Sequence, residues 1–457
     1  MAKILCITTG LTGILNASFE LMSRLESMGH VVTCASPGEI DYKVRLQGYN
    51  YLQLGPVNYD PAPAVPAYAG SLRKVKRFAH KFVHAGKRRK QATQALGMDA
   101  FLAQMAQLKP DLVIVDIELH EHIMSLYSKR YNLLLLSQWF STWDSKGLPP
   151  IQSDIIPGNG FAGSKQGMES SWRKVRRSRW KMFLKKKLNT VYTDRRSILQ
   201  KYAKEVGFPQ TYIRKNYWPG PFSYDELPVI SMTAQGLDFE HELRPGLSYV
   251  GPMVSASRKE APISEELNEQ LNTIFAQKRE ANQKLIYCSV STFSVGDSAF
   301  LKRVVEAVTG HKNWLLVISL GGKIDPNELG ELPENTFVFK RVPQLRILEE
   351  ADLSINHGGI HTINECLYFN VPMLVYSGKR SDQNGCAARV HYSNLGLMAD
   401  KDEDKPEDIE RKINEMIYST DVPDRIEELM AVYKNKTSLL KEVLESAGIE
   451  SFKPSEA

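Results

Sequence analysis

The stretch that decides the fold is residues 357–397, HGGIHTINECLYFNVPMLVYSGKRSDQNGCAARVHYSNLGL. The apolar segment 353–356 precedes it and is typical of a buried strand, which delivers the chain to His357. Two glycines follow, and a helical pattern begins around Ile360. The free backbone N–H groups and the positive dipole end of such a helix start are suited to a diphosphate. The segment therefore predicts a strand–glycine–helix unit with an anion site.

Further polar residues in this stretch stand where a nucleotide sugar could be bound. Thr362 adds a hydroxyl near the predicted anion site, and Glu365, one turn later, can accept hydrogen bonds from a ribose diol. Asp382 and Gln383 follow the next strand and loop, where a polar pair can contact sugar hydroxyls. Each feature alone is weak, but their order within one segment favours a nucleotide-sugar site.

Short apolar strands alternate with longer helical stretches in both halves of the chain. This alternation predicts an α/β protein with two parallel sheets covered by helices. Helices are predicted at 16–28 and 424–445, and an irregular glycine-rich loop beside a site at 153–167. The predicted strands are 3–9, 31–35, 112–116, 133–136, 285–290, 314–320, 337–339, 353–356 and 373–376.

Glycine and proline interrupt the periodic pattern near residues 251–263, which predicts a linker between two domains. The N-terminal domain is predicted at 1–250, the C-terminal domain at 264–423, and a final helix with a tail at 424–457. A length of 457 residues, with 42% hydrophobic and 24% charged residues, agrees with a globular protein of two or three domains.

The chain shows no apolar run long enough to span a bilayer and no cleavable leader, so we expect a cytoplasmic protein. Its five cysteines are odd in number and have no close C-x-x-C spacing. A disulfide scaffold and a zinc cluster are therefore not expected.

The net charge of +6 conceals two basic islands, residues 71–90 and 172–187, each with nine Lys or Arg and no acid. The rest of the chain is consequently acidic overall, unlike a typical nucleic-acid binder. Apolar and basic residues at 72–84 fall on opposite helical faces. Two explanations stay open: a solvated helix covering a core, or peripheral contact with an anionic membrane.

Residues 357–397 resemble the donor-binding signature of the UDP-glycosyltransferase superfamily, the GT-B enzymes of glycosyltransferase family 1. Further similarity lies at 342–344 (VPQ), at 287–292 (YCSVST), at 237–252 before the linker, and in the N-terminal strand–loop–helix. The resemblance implies two Rossmann-like domains that face a central cleft. It also implies a C-terminal helix that crosses back to the N-terminal domain.

The resemblance implies an inverting transferase that needs no metal or other cofactor and uses a nucleotide diphosphate sugar as co-substrate. By the same analogy, Gln383 favours glucose over galactose. UDP-glucose is the expected donor, while the choice between UDP and dTDP stays open. Cys386 departs from the family pattern, which usually has Asn there. The implied donor-binding positions are Ser289 and Thr292 in the loop after the first strand of the C-terminal domain, Gln344 at the base, His357, Gly359 and Thr362 at the phosphates, Glu365 at the ribose, and Asp382 with Gln383 at the sugar.

The main departure from the family concerns the catalytic base. A histidine commonly follows the glycine matched by Gly13, but this chain has Ile14, which cannot accept a proton. The family's supporting carboxylate is matched by Asp116, at the carboxyl end of the predicted strand 112–116. If a helix begins at Asp116, His120 shares its face and the two could form a relocated pair, in which Asp116 orients His120 or acts on the acceptor itself. An acceptor that is already ionised would need no base.

The acceptor is expected in the N-terminal domain, with Ile14, Gln138, Trp139 and Trp143 as candidate contacts, because aromatic side chains suit a flat apolar molecule. We therefore expect transfer of a hexose to a small lipophilic acceptor. Two alternatives stay open. A GT-B sugar-nucleotide epimerase is disfavoured by the Asp382–Gln383 pair, and a catalytically silent nucleotide-sugar-binding partner is supported by Ile14.

Overall fold

The chain forms two parallel sheets flanked by helices, as the alternation of strands and helices predicts. The computed structural model describes residues 1–57, 69–215, 218, 220–260, 263–289, 298–321, 324–433 and 436–449. The strand segments with continuous apolar runs are buried along their whole length, as is typical of parallel sheets covered on both faces.

The first sheet contains seven parallel strands. They are β1 (Lys3–Ile7), β2 (Val31–Ser36), β3 (Asn50–Gln53), β4 (Leu112–Asp116), β5 (Leu133–Ser137), β8 (Val229–Ser231) and β9 (Leu247–Tyr249). Their order is β3-β2-β1-β4-β5-β8-β9, so the direction of strand addition reverses between β1 and β4. A separate antiparallel hairpin consists of β6 (Ile213–Lys215) and β7 (Phe222–Tyr224).

The second sheet is also parallel and has the order β12-β11-β10-β13-β14-β15. Its strands are β10 (Lys284–Ser289), β11 (Trp314–Ser319), β12 (Thr336–Phe339), β13 (Leu353–Asn356), β14 (Met373–Tyr376) and β15 (Gly396–Ala399). Strand addition reverses between β10 and β13, and ligands of open α/β sheets bind beyond the carboxyl ends of the strands at such a point. The nine predicted strands all form, with ends shifted by at most two residues.

The described residues form sixteen α-helices, and none of them combines the length and apolarity needed to cross a bilayer. They are α1 (Thr12–Ser27), α2 (Asp41–Leu46), α3 (Arg73–Val83), α4 (Ala85–Gln94), α5 (Met98–Leu108), α6 (His120–Ser128), α7 (Lys165–Thr190), α8 (Arg195–Glu205), α9 (Glu265–Glu280), α10 (Ser298–Val308), α11 (Gln344–Glu350), α12 (Ile360–Tyr368), α13 (Gln383–Tyr392), α14 (Pro406–Ile417), α15 (Asp421–Ala431) and α16 (Lys436–Ser446).

The C-terminal region differs from the single helix predicted at 424–445, because α15 ends at Ala431 and α16 is a separate helix. Tyr433 follows α15 and is buried, and its hydroxyl accepts a hydrogen bond of 2.7 Å from the backbone N–H of Gln235. Leu440 and Leu444 of α16 are fully buried in the core beneath the first sheet. The predicted crossing back to the N-terminal domain is confirmed.

A buried ion pair connects the domain that contains the first sheet to the domain that contains the second. The Nε of Arg389, on α13, donates to Oδ1 of Asp238 at 2.7 Å, and both side chains are almost wholly inaccessible to solvent. The guanidinium group lies between the rings of Phe140 and Phe239, with its Cζ 4.9 and 4.4 Å from their centroids. Asp238 also accepts hydrogen bonds from the N–H of Ser141 and from a tyrosine hydroxyl. This pair therefore fixes α13 against the first domain.

Replacing Arg389 with alanine should lower the free energy of unfolding by about 3–5 kcal/mol, because the buried Asp238 carboxylate would lose its cation. Urea denaturation followed by circular dichroism measures the change. Arg411→Ala is the matched control: its pair with Asp408 is solvent-exposed, so its loss should change stability by less than about 1 kcal/mol. Equal effects of the two substitutions would contradict the interdomain role of Arg389.

Candidate active site

The predicted anion site lies where β13 passes through His357 to the start of α12. Gly359 is the N-cap residue of α12, and a glycine has no side chain with which to cap this helix end. A Cβ atom on Gly359 would lie only 2.8 Å from Nε2 of His357, so glycine lets the imidazole rest against the helix start. The geometry leaves backbone N–H groups and one imidazole around a space that suits a phosphate.

Three of the predicted donor residues meet beside this helix start although they are separated in sequence. The Nε2 atom of Gln344, at the start of α11, lies 3.4 Å from the Thr362 hydroxyl and also donates to Glu365. The hydroxyl of Tyr287 donates to Oε1 of Gln344 at 3.3 Å. The structure therefore brings the residues predicted for base, phosphate and ribose into one cluster.

Arg258 joins this cluster from the predicted linker, and sequence reasoning missed it. Its Nη1 lies 3.5 Å from Oε1 of Glu365, and its Nη2 lies 3.0 Å from Oε1 of Glu260. Burial raises the pKa of Glu365, whereas Arg258 and Gln344 oppose that rise by stabilising the carboxylate. No sequence pattern indicates this contact, because Arg258 lies in an irregular segment far from its partner along the chain.

Ser289 lies at the end of β10, in register with Asn356, which directly precedes His357. Its hydroxyl is buried and has no hydrogen-bond partner in the described structure. This position places a free hydroxyl group one strand away from the anion site. Thr292, the other donor residue predicted in this loop, lies outside the described residues.

Asp382 and Gln383 lie at the start of α13, and the backbone carbonyl oxygen of Gln383 would be 2.8 Å from a Cβ atom on Gly358, so this helix start adjoins the anion site. Burial raises the pKa of Asp382 to about 6, and the Sγ of Cys386 contacts its Oδ2 at 3.3 Å. The side-chain oxygen of Gln383 is buried and has no hydrogen-bond partner among the described residues. Asn384 donates to the backbone carbonyl of Gln152 at 3.2 Å, which joins this loop to the first domain. The pair is thus poised to bind a polar ligand.

Asp116 ends β4 on the opposite side of the cleft. Its Oδ1 accepts from the N–H of Glu118 at 2.9 Å, and its Oδ2 accepts from the Thr9 hydroxyl at 3.3 Å. Burial, with a smaller contribution from Glu118, raises the pKa of Asp116 to about 7. The charge of Glu118 also raises the pKa of Asp382, because carboxyl groups of both domains face the same cleft.

The relocated pair of Asp116 and His120 requires a helix that begins at Asp116, and the structure does not contain one. Helix α6 begins at His120, while Asp116 still belongs to β4, so the two residues share no helix face. His120 is completely buried; its ring nitrogens lie 2.8 Å from the Tyr224 hydroxyl and 3.4 Å from the Gly220 carbonyl. Burial lowers the pKa of His120 to about 3. The predicted pair is therefore wrong in its geometry.

His361, which sequence reasoning did not use, packs on Gly13, next to the position where the resemblance predicts a base. Its Nε2 is 2.6 Å from Oε1 of Gln138, across the interdomain cleft. A Cβ atom on Gly13 would lie 2.4 Å from Cδ2 of His361, so this imidazole packs directly on the residue before Ile14. Burial, assisted by the positive charge of Arg258, lowers the pKa of His361 to about 4. The second histidine in HGGIHT was the available signal.

The remaining acceptor candidates occupy different surroundings. Ile14 is buried, with 2% of its surface exposed. The ring of Trp139 meets that of Trp218 edge to face at 5.2 Å, and Trp143 meets His241 in the same way at 6.1 Å. Of the four predicted acceptor residues, Gln138 is the one with a hydrogen bond to α12. Their contact with an acceptor stays a prediction.

Comparison with known proteins gives a family match in the C-terminal part of the chain. Residues 299–439 match the Glycosyltransferase family 28 C-terminal domain. The uncharacterised UDP-glucosyltransferase YdhE of Bacillus subtilis is 30% identical over 173 residues, which cover 38% of this chain and 43% of that protein. The oleandomycin glycosyltransferase of Streptomyces antibioticus is 37% identical over 98 residues, 21% of this chain and 23% of that protein. The chain thus spans less than half the length of these curated relatives.

Solved structures resemble the whole chain at low sequence identity. The glycosyltransferase of kitacinnamycin superposes with a TM-score of 0.63 at 19% identity, over 98% of both chains. The glycosyltransferase SnogD from Streptomyces nogalater gives a TM-score of 0.59 at 18% identity, again over 98% of both chains. The chain therefore has the two-domain GT-B fold, and the match of residues 299–439 supports the glycosyltransferase superfamily without specifying family 1.

Proposed function

We propose that this chain is an inverting glycosyltransferase that transfers glucose from UDP-glucose to a small lipophilic acceptor without a metal or other cofactor. The observation that carries the proposal is the convergence of Gln344, Thr362 and Glu365 beside the uncapped start of α12. The curated relatives named as a UDP-glucosyltransferase and an oleandomycin glycosyltransferase support this donor and acceptor chemistry.

In the proposed reaction the acceptor oxygen attacks the anomeric carbon from the face opposite the diphosphate. The bond from that carbon to the acceptor oxygen forms while its bond to the phosphate oxygen breaks, and UDP leaves with the electron pair. The N-terminus of α12 and His357 stabilise the negative charge that develops on the diphosphate. Asp382 and Gln383 hold the sugar hydroxyls, and the acceptor proton passes to a base.

Asp116 is the base we propose for an alcohol acceptor. Its pKa of about 7 matches a group that accepts a proton near neutral pH. His361 is the competing group, because it lies against Gly13 and is neutral above its lowered pKa. The hydrogen bond that its Nε2–H donates to Oε1 of Gln138 fixes its orientation in the cleft. A third possibility is an acceptor that is already ionised, and such an acceptor requires neither Asp116 nor His361 as a base.

Incubation with UDP-glucose and a panel of hydrophobic alcohols, phenols and carboxylic acids, analysed by mass spectrometry, tests the proposal. A glycosylated acceptor together with released UDP is the expected result. Release of an epimerised sugar in the absence of acceptor would instead indicate an epimerase. Binding of UDP-glucose without any turnover across the panel would favour a silent binding partner and contradict the proposal.

Alanine at His357 or Glu365 should weaken UDP binding by about 1–3 kcal/mol, because each removes a charge-assisted or buried hydrogen bond to the nucleotide. Isothermal titration calorimetry measures the change. Glu349→Ala, an exposed carboxylate on α11, is the matched control and should leave the affinity unchanged. Unaltered UDP affinity in both site variants would remove the basis for the donor-site assignment.

Asp116→Asn should lower kcat for an alcohol acceptor by about 10²–10⁴-fold and leave UDP affinity unchanged. Since the carboxyl loses its proton near pH 7, the wild-type rate should rise through that pH, and the variant should lose this rise. Initial rates measured across pH for the wild type, Asp116→Asn and His361→Gln distinguish the two candidate bases.

Near-wild-type turnover of an alcohol by Asp116→Asn would overturn the assignment of Asp116. If His361→Gln alone then abolished turnover, the base would be His361. If neither substitution mattered and the product were an alkali-labile ester, the acceptor would be an ionised carboxylate that needs no base.

A further inference from the structure

The first basic island forms α3 and α4, and no side chain of α3 is buried. Val75 and Phe82 are 64% and 66% exposed, and Leu72, Phe78 and Val83 are exposed as well. The alternative in which this apolar face covers a core is therefore wrong. A helix with one basic face and one unburied apolar face is typical of a segment that lies on a membrane surface.

The second island forms most of α7 and repeats this combination. Trp180 (64% exposed), Leu184 and Leu188 are all exposed and follow each other at four-residue intervals, so they lie on one helical face. Nine Lys and Arg residues accompany them between 172 and 187 without an acid. Single exposed apolar residues are ordinary, but an apolar stripe among cations indicates a binding surface.

Contacts join the two islands into one surface. The Nζ of Lys81 on α3 donates to the carbonyl of Asn189 at the end of α7, at 3.0 Å. Tyr192 makes cation–π contacts with both islands: the Nζ of Lys187 lies 4.6 Å from its ring centroid, and the Cζ of Arg89, on α4, lies 5.7 Å from it. We call residues 71–90 and 172–192 together the basic apolar surface.

We propose that the basic apolar surface docks the protein on an anionic lipid bilayer. The two islands hold eighteen cations and no acid. Apart from Arg88, which is buried, and Arg176, which pairs with Asp144, these cations complement a negative surface, and each one close to such a membrane adds to the attraction. Exposed Trp and Phe side chains suit the boundary between headgroups and acyl chains. A nucleic acid would use the cations but leave the apolar stripe in water, so the bilayer satisfies both features.

The location of this surface gives the docking a consequence for the reaction. The N-terminal half of α7 packs on the acceptor side of the first domain: the Trp172 indole N–H donates to the Leu148 carbonyl at 2.7 Å, and Arg176 pairs with Asp144. A few residues further on, the Gln152 carbonyl accepts the contact from Asn384 beside the sugar loop. A lipophilic acceptor dissolved in the bilayer would therefore lie near the cleft; this consequence rests on the proposed function, whereas docking does not.

Co-flotation of the full chain with phosphatidylcholine vesicles, with and without phosphatidylglycerol, tests the docking. We expect binding to the vesicles that contain phosphatidylglycerol, and a loss of binding as salt is raised, because screening weakens the attraction. Equal binding to both vesicle types, or no binding to either at low salt, would overturn the proposal. Selective retention on RNA or DNA without vesicle binding would also overturn it.

Two sets of substitutions separate the charged and apolar contributions. Changing Arg73, Lys74, Lys76 and Arg77 to glutamate should lower vesicle affinity by at least about 100-fold, because each reversal removes an attraction and adds a repulsion. Changing Phe78 and Phe82 to serine should also lower the affinity while the salt dependence persists. The matched control reverses four exposed cations of the second domain, Lys302, Lys312, Lys340 and Arg411.

The control variant and the α3 variant have the same net charge, but the control should bind vesicles much more tightly. Equal loss in the two would mean that only total charge matters and would overturn a specific surface. UDP affinity, measured on the same preparations, should be unchanged in all variants, because none of these residues lies at the donor site. Failure of docking can thus be distinguished from failure of the proposed enzyme activity.

Discussion

The buried ion pair between Arg389 and Asp238 holds the two halves of the cleft in place. Arg389 lies on the same helix whose first turn carries Asp382 and Gln383, so a contact with the first domain also sets the position of the predicted sugar-binding residues. The pair is enclosed by two aromatic rings and by donors to the carboxylate, which offset part of the cost of burying both charges. A cleft built from two separate sheets needs such a contact if its walls are to keep a fixed spacing.

Around this fixed spacing, the two domains contribute different chemistry. The second domain provides an uncapped helix start, with glycine allowing the His357 ring to approach, and this arrangement favours negative charge. The first domain provides Asp116, whose burial raises the pKa of its carboxyl to about 7. Under the proposed function, the start of α12 would stabilise the diphosphate and Asp116 would accept the acceptor proton, which is the chemistry that group transfer from a diphosphate requires.

Much of this arrangement could be predicted from sequence because it depends on local patterns. The apolar runs of β4, β10 and β13 define buried strands, and the glycine pair at 358–359 marks the start of α12. Short strands such as β3, β8 and β9 were missed, since three or four residues with polar neighbours carry little periodicity. The start of α6 was also predicted wrongly. The helix begins at His120 and not at Asp116, so the two residues do not share the helical face on which their predicted pairing depended.

The contacts between distant segments could not be predicted. Arg258 with Glu365, His361 with Gln138 and Arg389 with Asp238 each join residues more than 100 positions apart, and no local pattern encodes such a pairing. A crystal structure with UDP bound is the most direct measurement of the account. It should show the diphosphate at the backbone N–H groups that begin α12, the ribose at Glu365 and the base at Gln344. UDP bound outside the cleft, or with its diphosphate away from α12, would contradict the account.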